Sequence, residues 1–299
     1  NKIVAYAALV GFVLTISFLV LILNDFSKSQ SYKKQLESAN RATEKLLKNR
    51  EQLIATVSHD LKTPLNTILG YTELLSTSEL SKKQLNYTSN IKGSSEYISK
   101  LVQDLLDLTQ IEAGKISIEA LPFSLRKYIE EVATNIQAIY HTKPIELEIY
   151  IDESLDGLIV GDSFRLRQIL TNLIGNAYKF TNEGSIRIEA TANEFLKTFT
   201  IKVIDTGIGI DLSKQQIIFE EFRQADDSVV KKYGGSGLGL TISKKMAELL
   251  GGNLQLESEV GVGSTFVLIL PLIKSTKTEK VEDLVPLSSL NLTAIVVDD

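Results

Sequence analysis

The chain has no cysteine, no tryptophan, one methionine and five prolines, and only two of its 299 residues are histidine, His59 and His141. Without cysteine there can be no disulfide, no thiolate nucleophile and no Cys-held zinc or iron. Two histidines exclude a His-rich metal centre. A basic excess is also missing. Thirty-two Lys and Arg against 37 Asp and Glu leave a net charge of -5, which argues against a protein that neutralises nucleic-acid phosphates. What is present is a 43% hydrophobic and 23% charged composition, sufficient for a buried core. The length suggests about two domains. The first residue is Asn, and the expectation is a fragment of a longer protein.

One hydrophobic run stands apart. Ile3–Leu23 carries no charge, and as a helix it would span about 31 Å, close to the hydrocarbon thickness of a bilayer. It is too long for the apolar part of a signal peptide. Lys28, Lys33 and Lys34 follow it and only Lys2 precedes it, which predicts an inner-membrane anchor with the bulk of the chain in the cytoplasm. From Asn24 to Arg50 there is neither Gly nor Pro. Tyr32, Leu36, Ala39, Leu46, Leu53 and Val57 recur near a and d heptad positions, predicting a continuing helix that pairs with its copy.

Two amphipathic helices come next. Pro64 interrupts the first, which should bend it. STSELS, Ser76–Ser81, predicts the turn. Leu85, Ile91, Ile98, Leu101, Leu105, Leu108 and Ile111 mark the second helix, and Gly114 its C-cap. Two such helices cannot bury their apolar faces alone, so a dimeric four-helix bundle is expected. From Ile116 the pattern mixes. KISIEALPFSL reads as a strand with a connection at Pro122. Helices are predicted at Leu125–Tyr140, Ser163–Phe180 and Leu238–Leu250. Strands are predicted at Ile145–Ile151, Ser185–Ala190, Phe199–Ile204, Asn253–Ser258 and Thr265–Leu270, with hairpins rather than βαβ crossovers. The fold class is therefore multidomain: a membrane helix, a helical hairpin, then an α+β two-layer sandwich. The expected boundaries are 1–24 for the anchor, 25–50 for a helical linker, 51–114 for the dimerisation hairpin and 115–272 for the α+β domain. A linker at 273–290 and the start of another domain at 291–299 follow.

Chemistry-bearing stretches occur in order along this frame. In SHDLKTPLN, Ser58–Asn66, a histidine is followed by an acid, and a proline lies five positions on. In RQILTNLIGNAYKFT, Arg167–Thr181, Asn172, Asn176 and Lys179 share one helix face while Ile169, Leu170, Leu173, Ile174 and Ala177 take the other. Two amides and an ammonium on one face suit a polyphosphate with a hard cation. DTGIGI, Asp205–Ile210, and GGSGLGL, Gly234–Leu240, are glycine clusters of the kind that let backbone N–H groups approach phosphate. Neither matches the G-x-G-x-x-G or P-loop pattern, and either alone also reads as a flexible turn.

Together with IFEEF, Ile218–Phe222, these five stretches resemble the H, N, F and two glycine boxes of bacterial sensor histidine kinases. The resemblance covers about residues 50–271. It implies a dimerisation bundle that carries a phosphorylated histidine, followed by an ATP-binding α/β sandwich related to those of gyrase and MutL. By that likeness His59 is the nucleophile, Asp60 the general base and Thr63 the residue that positions water for dephosphorylating the partner regulator. Asn176 would hold Mg2+ with Asn172 beside it, and Tyr178 and Lys179 would lie near the nucleotide. Asp205 would accept from the adenine amino group, with Gly207 and Gly209 turning closely around the base. Phe219 and Phe222 would anchor a lid. Gly235, Gly237 and Gly239 would close on phosphate, Lys231 or Lys232 would reach the γ-phosphate, and Thr265 would lie near adenine through water. The implied cofactors are ATP and Mg2+. The implied partners are a second copy, a receiver domain and the membrane, with no nucleic acid. LTAIVVDD, Leu292–Asp299, resembles the first strand of such a receiver, with Asp298 and Asp299 as its paired acids. Three readings stay open beside the kinase: a phosphatase of the regulator working through Thr63, a non-catalytic ATP-binding scaffold, and an ATPase of the gyrase kind. His141 has no such setting and reads as a loop residue.

Overall fold

The computed structural model describes the backbone of residues 2–221, 223 and 237–275, and their side chains except at 2–10, 12–16, 20, 31, 44, 47 and 51. The chain divides into two units, 1–67 and 68–299. Helix α1 is Lys2–Ser76 and contains Pro64. The helix continues past that proline, as expected of a proline that interrupts the pattern without ending it. The Asp60 carbonyl has no N–H four residues on, because Pro64 carries none. Hydroxyls crowd the same turns: Thr63 Oγ1 donates to the His59 carbonyl at 3.4 Å and Thr67 Oγ1 to the Thr63 carbonyl at 3.1 Å. Among the described residues no helix is long and apolar enough to cross a membrane. Most side chains of the Ile3–Leu23 run lie outside the described residues.

The turn after α1 is built from the residues predicted for it. Ser76, Thr77 and Ser78 each donate a hydroxyl to a carbonyl of the last helical turns, at 2.7–2.8 Å. These bonds occupy acceptors that a helix end leaves over. Helix α2, Lys82–Glu112, starts on a capping box in which Ser81 and Gln84 exchange bonds. It ends at Gly114, whose φ of 62° suits glycine. Lys115 N–H reaches back to Gln110 and Gly114 N–H to Ile111, a Schellman ending. Along the facing surfaces of the hairpin's closed end, the small polar residues Thr72, Thr88 and Ser95 are buried, while Lys92 pairs with Glu73 at 3.4 Å. Large apolar residues of the same stretch, Leu74, Leu75, Leu85, Ile91 and Ile98, stay exposed.

The α+β domain is a sheet in the order β2 (Ile145–Ile151), β4 (Gly184–Asn193), β5 (Thr198–Asp205), β7 (Gly263–Pro271), β6 (Asn253–Glu259). Helices α3 (Leu125–Ile139), α4 (Ser163–Phe180) and α5 (Gly239–Leu249) supply residues to its core. Strand alternation sends Ile186, Ile188 and Ala190 of β4, and Phe199, Ile201 and Val203 of β5, into that core. Leu166, Ile169, Leu170, Leu173, Ile174 and Ala177 of α4 meet them there. Each such side chain contributes about 1.5–3 kcal/mol of apolar burial, which is why the non-polar face of α4 is fixed and its other face is left for function.

Three features differ from the sequence reading. The strand placed at KISIEALPFSL is shorter and later: β1 is Leu121–Ser124 and pairs antiparallel with β3, Leu158–Gly161. Pro122 lies inside it, tolerated because a two-stranded ribbon is all edge. Residues 116–120 are not strand, and Glu119 N–H is held by Asp162, the N-cap of α4. Strands β4–β5 and β6–β7 are the expected hairpins, but β2 pairs parallel with β4, with β3 and α4 between them in sequence. The sheet domain also runs past residue 272. Ile273 and Ser275 bond to Val160 and Leu158 of β3, and Lys274 bonds to Glu194. LTAIVVDD lies outside the described residues.

Candidate active site

The first unit holds His59. Its side chain is 83% exposed, and Nδ1 sits 3.3 Å from Oδ1 of Asp60, itself 71% exposed. Thr63 lies one turn on, with its hydroxyl turned to the His59 carbonyl.

The second unit holds a cavity of about 270 Å³. The polar face of α4 forms its floor through Asn172, Gly175, Asn176 and Lys179, at helical spacings of three and four. Asp205, Ile208, Gly209 and Ile210 line it from the end of β5 and the following turn, Gly237, Gly239 and Leu240 from the start of α5, and Ser264 and Phe266 from β7. Asn172 donates to Ser243 Oγ at 2.9 Å, tying α4 to α5. A Cβ on Gly239 would stand 2.5 Å from Asn172 Oδ1, so glycine is what lets the two helices meet at this wall. Gly209 has φ 68°, and a Cβ there would come within 1.9 Å of the Glu259 carbonyl oxygen.

Two ionisable groups of the cavity are shifted by where they sit. Asp205 is 6% exposed. Burial holds its carboxyl above the usual carboxylate range, partly opposed by backbone N–H groups of Gly207 and Ser264. The Gly207 bond to Oδ1 measures 2.9 Å. Lys179 is held below the usual ammonium range, first by burial and then by the charge of Lys100. A buried acceptor at one place and crowded cations at another are what a purine base and a polyphosphate would each satisfy.

The structure thus brings Asn172, Asn176, Lys179, Asp205, Gly209, Gly237 and Gly239 to one cavity, with Gly207 bonded to Asp205. Three expected residues are placed otherwise. Tyr178 is 1% exposed in the core and stacks on Tyr140 at 5.3 Å. Tyr140 lines the cavity instead. Phe219 lies beneath Lys244 at 5.0 Å, and the neighbouring Ile218 supplies the wall. Thr265 pairs with Ile204, whereas Ser264 pairs with Asp205 and reaches the cavity. The period of two along a strand puts these neighbours on opposite faces. Lys231, Lys232, Gly235 and Phe222 lie outside the described residues.

Several functional candidates were not legible in the motifs. Lys143 donates to the carbonyls of Tyr178, Lys179 and Thr181 at 2.6, 3.3 and 2.7 Å, closing the C-terminal end of α4 where a cation is favoured. Asp107 of α2 accepts from Gln168 of α4 at 2.6 Å, and Leu108 packs with Leu238 and Ile242. Lys245 bridges Glu112 and Glu221 at 3.2 and 2.7 Å. Lys100 of α2 lines the cavity itself. No motif carries these, because Lys143 depends on how the segment before β2 meets the end of α4 and the contacts of α2 on how that helix sits against α4 and α5.

Comparison with known proteins matches the hairpin and the sheet domain to two families. Residues 49–114 match the family described as His Kinase A (phospho-acceptor) domain, and residues 161–274 the family of histidine kinase-, DNA gyrase B- and HSP90-like ATPases. The two matched segments are the domains found in histidine kinases. The chain is 36% identical to the sensor protein GacS of Pseudomonas syringae over 86% of this chain and 29% of that protein. It is 37% identical to the histidine-protein kinase BarA of Escherichia coli over 78% of this chain and 26% of that protein. The solved structure of full-length ShkA in complex with AMPPNP resembles it with TM-score 0.64 and 32% identity, covering 75% of this chain and 46% of that one. The chain thus spans under a third of the length of these curated relatives. The order of the matched domains, a helical hairpin ahead of an α/β domain of the ATPase kind, is that of a histidine kinase core.

Proposed function

We propose that this chain binds ATP in the cavity on α4, autophosphorylates His59 and passes the phosphoryl group to an aspartate of a response-regulator receiver domain. One observation carries the reading: His59 is exposed and oriented by Asp60 through Nδ1. With Nδ1 carrying the proton, the lone pair of Nε2 is free to attack the γ-phosphorus. The bond from that phosphorus to the β–γ bridging oxygen breaks, and ADP leaves with its electron pair. The Nδ1 proton passes to Asp60, so the product is a neutral phosphoimidazole. Such a transfer has a loose transition state, and positioning and charge stabilisation do most of the work. Asp205 accepts from the adenine amino group, and Lys179 meets the phosphate oxygens.

Asn176 would hold Mg2+ together with the substrate's phosphates. Its amide oxygen is a fitting hard donor on the cavity floor, and among the described residues no group of three His or acidic residues offers another metal cluster. The ion would neutralise charge on the transferring phosphoryl group.

The assembly is a homodimer whose two hairpins form a four-helix bundle. The exposed Leu74, Leu75, Leu85, Ile91 and Ile98 support it, because a single hairpin leaves them in water. The uncharged run Ile3–Leu23 and the lysines after it support an inner-membrane anchor with the kinase in the cytoplasm.

The test is incubation of the full chain in detergent with Mg2+ and γ-labelled ATP, beside His59→Gln. The expected result is an acid-labile label on the parent and none on the variant, with ATP binding unchanged. Label retained by the variant would overturn the assignment of His59, and failure of the parent to bind ATP would overturn the kinase reading.

A further inference from the structure

Helix α2 turns one stripe of residues toward the ATP-binding domain. Asp107 bonds to α4, Leu108 packs on α5 and Glu112 bonds to Lys245. Lys100 stands seven residues before Asp107, two helical turns along the same stripe. Its side chain borders the groove beside that interface, with Asp107 and Gln168, and also lines the cavity together with Lys179 and Asn176 of α4. Burial first, and the nearby charge of Lys100 second, hold Lys179 below its usual range. Two like charges facing one half-enclosed space are unfavourable until an anion lies between them.

We infer that Lys100 is a phosphate ligand supplied by α2, so that the nucleotide is held jointly by the ATP-binding domain and by the helical hairpin. This rests on the ATP reading of the cavity and deepens it. The occupant facing Lys100 is the polyphosphate, since Lys179 and Asn176, the ammonium and the amide suited to phosphate and its cation, line the cavity with it. Reciprocity follows. If the hairpin tightens the hold on ATP, bound ATP tightens the seating of the domain on α2 by the same factor. Triphosphate, diphosphate and free nucleoside then differ in how firmly they hold the domain against the helix. Loss of the γ-phosphate after transfer would loosen it.

The experiment compares full-length Lys100→Met and Lys100→Arg with the parent, in detergent, for equilibrium binding of ATP, ADP and adenosine. Lys100→Met is expected to weaken ATP by about ten-fold, the scale of one charge-assisted contact. ADP should weaken less and adenosine not at all, and Lys100→Arg should restore most of the ATP affinity. Unchanged ATP binding by Lys100→Met overturns the inference while leaving the kinase reading intact. Equal weakening of ATP and adenosine also overturns it, because that marks damage to the fold rather than a lost phosphate contact. A parent that binds neither nucleotide overturns both.

Discussion

The His59 side chain is 83% exposed and meets a single carboxylate, whereas Asp205 is 6% exposed and is held by backbone N–H groups at the end of β5. The two regions divide the labour of phosphoryl transfer in opposite ways. At His59, water is admitted and Asp60 orients the ring, as suits the proposed transfer in which the imidazole is reached by two partners in turn. In the cavity, burial raises the Asp205 carboxyl and lowers the Lys179 ammonium. Water screens the first site and sharpens nothing, while the low polarity of the second makes each contact count more.

The largest effect expected from breaking this contrast is at the exposed site. Asp60→Asn removes the group that holds the Nδ1 proton and accepts it. Autophosphorylation should fall by roughly a hundred-fold, with ATP affinity unchanged, measured by single-turnover labelling and equilibrium binding. A variant as fast as the parent would show that Asp60 has no part in the proton's path.

Next comes the backbone around the cavity. Gly209→Ala places a methyl group 1.9 Å from a backbone oxygen and requires φ 68° of an L-residue. It should lower the unfolding free energy by roughly 2–4 kcal/mol, read from denaturant midpoints. A shift below about 0.5 kcal/mol would show that the turn relaxes freely.

Asp205→Asn sharpens the comparison through pH. Burial raises the Asp205 carboxyl, so the folded state holds its proton more tightly than the unfolded chain. Its contribution is fully present below the ordinary carboxylate pKa of about 3.9 and is lost as pH rises through the raised folded value. Nucleotide-free Asp205→Asn should therefore be more stable than the parent at pH 7, and the gain should vanish at acid pH, even as ATP binding weakens. Equal stability at pH 7 would contradict a burial cost at this site. The smallest effect is at the contact between α2 and α5. Lys245→Ala removes bonds to Glu112 and Glu221, both partly exposed. The loss should be within about 1 kcal/mol and should shrink in high salt.

Local chemistry made much of this molecule legible. The span of α4 is read correctly from its periodicity, because its apolar side must meet a sheet. The polar side bearing Asn172, Asn176 and Lys179 follows by elimination. Gly114 and the Ser81 cap are local too, since a helix end needs partners within a few residues. Ser264 and Thr265 were not separable, because which of two adjacent strand residues faces the cavity depends on the register with β5. Tyr178 is expected near the nucleotide but lies in the core, and Tyr140 lines the cavity, for a similar reason. One aromatic lies on the core side of α4 and the other reaches the cavity from the end of α3.

By itself the sequence determined what short-range physics controls: which segments are helix, where they stop, and which residue types could do phosphoryl chemistry at His59 and on α4. Only the tertiary structure decided what depends on segments far apart in the chain. It set the parallel pairing of β2 with β4, the burial that shifts Asp205 and Lys179, and the arrival of Lys100 from α2 in a cavity built by α4, β5, α5 and β7. Desolvation and charge–charge repulsion act through space, so no spacing along the chain encodes them.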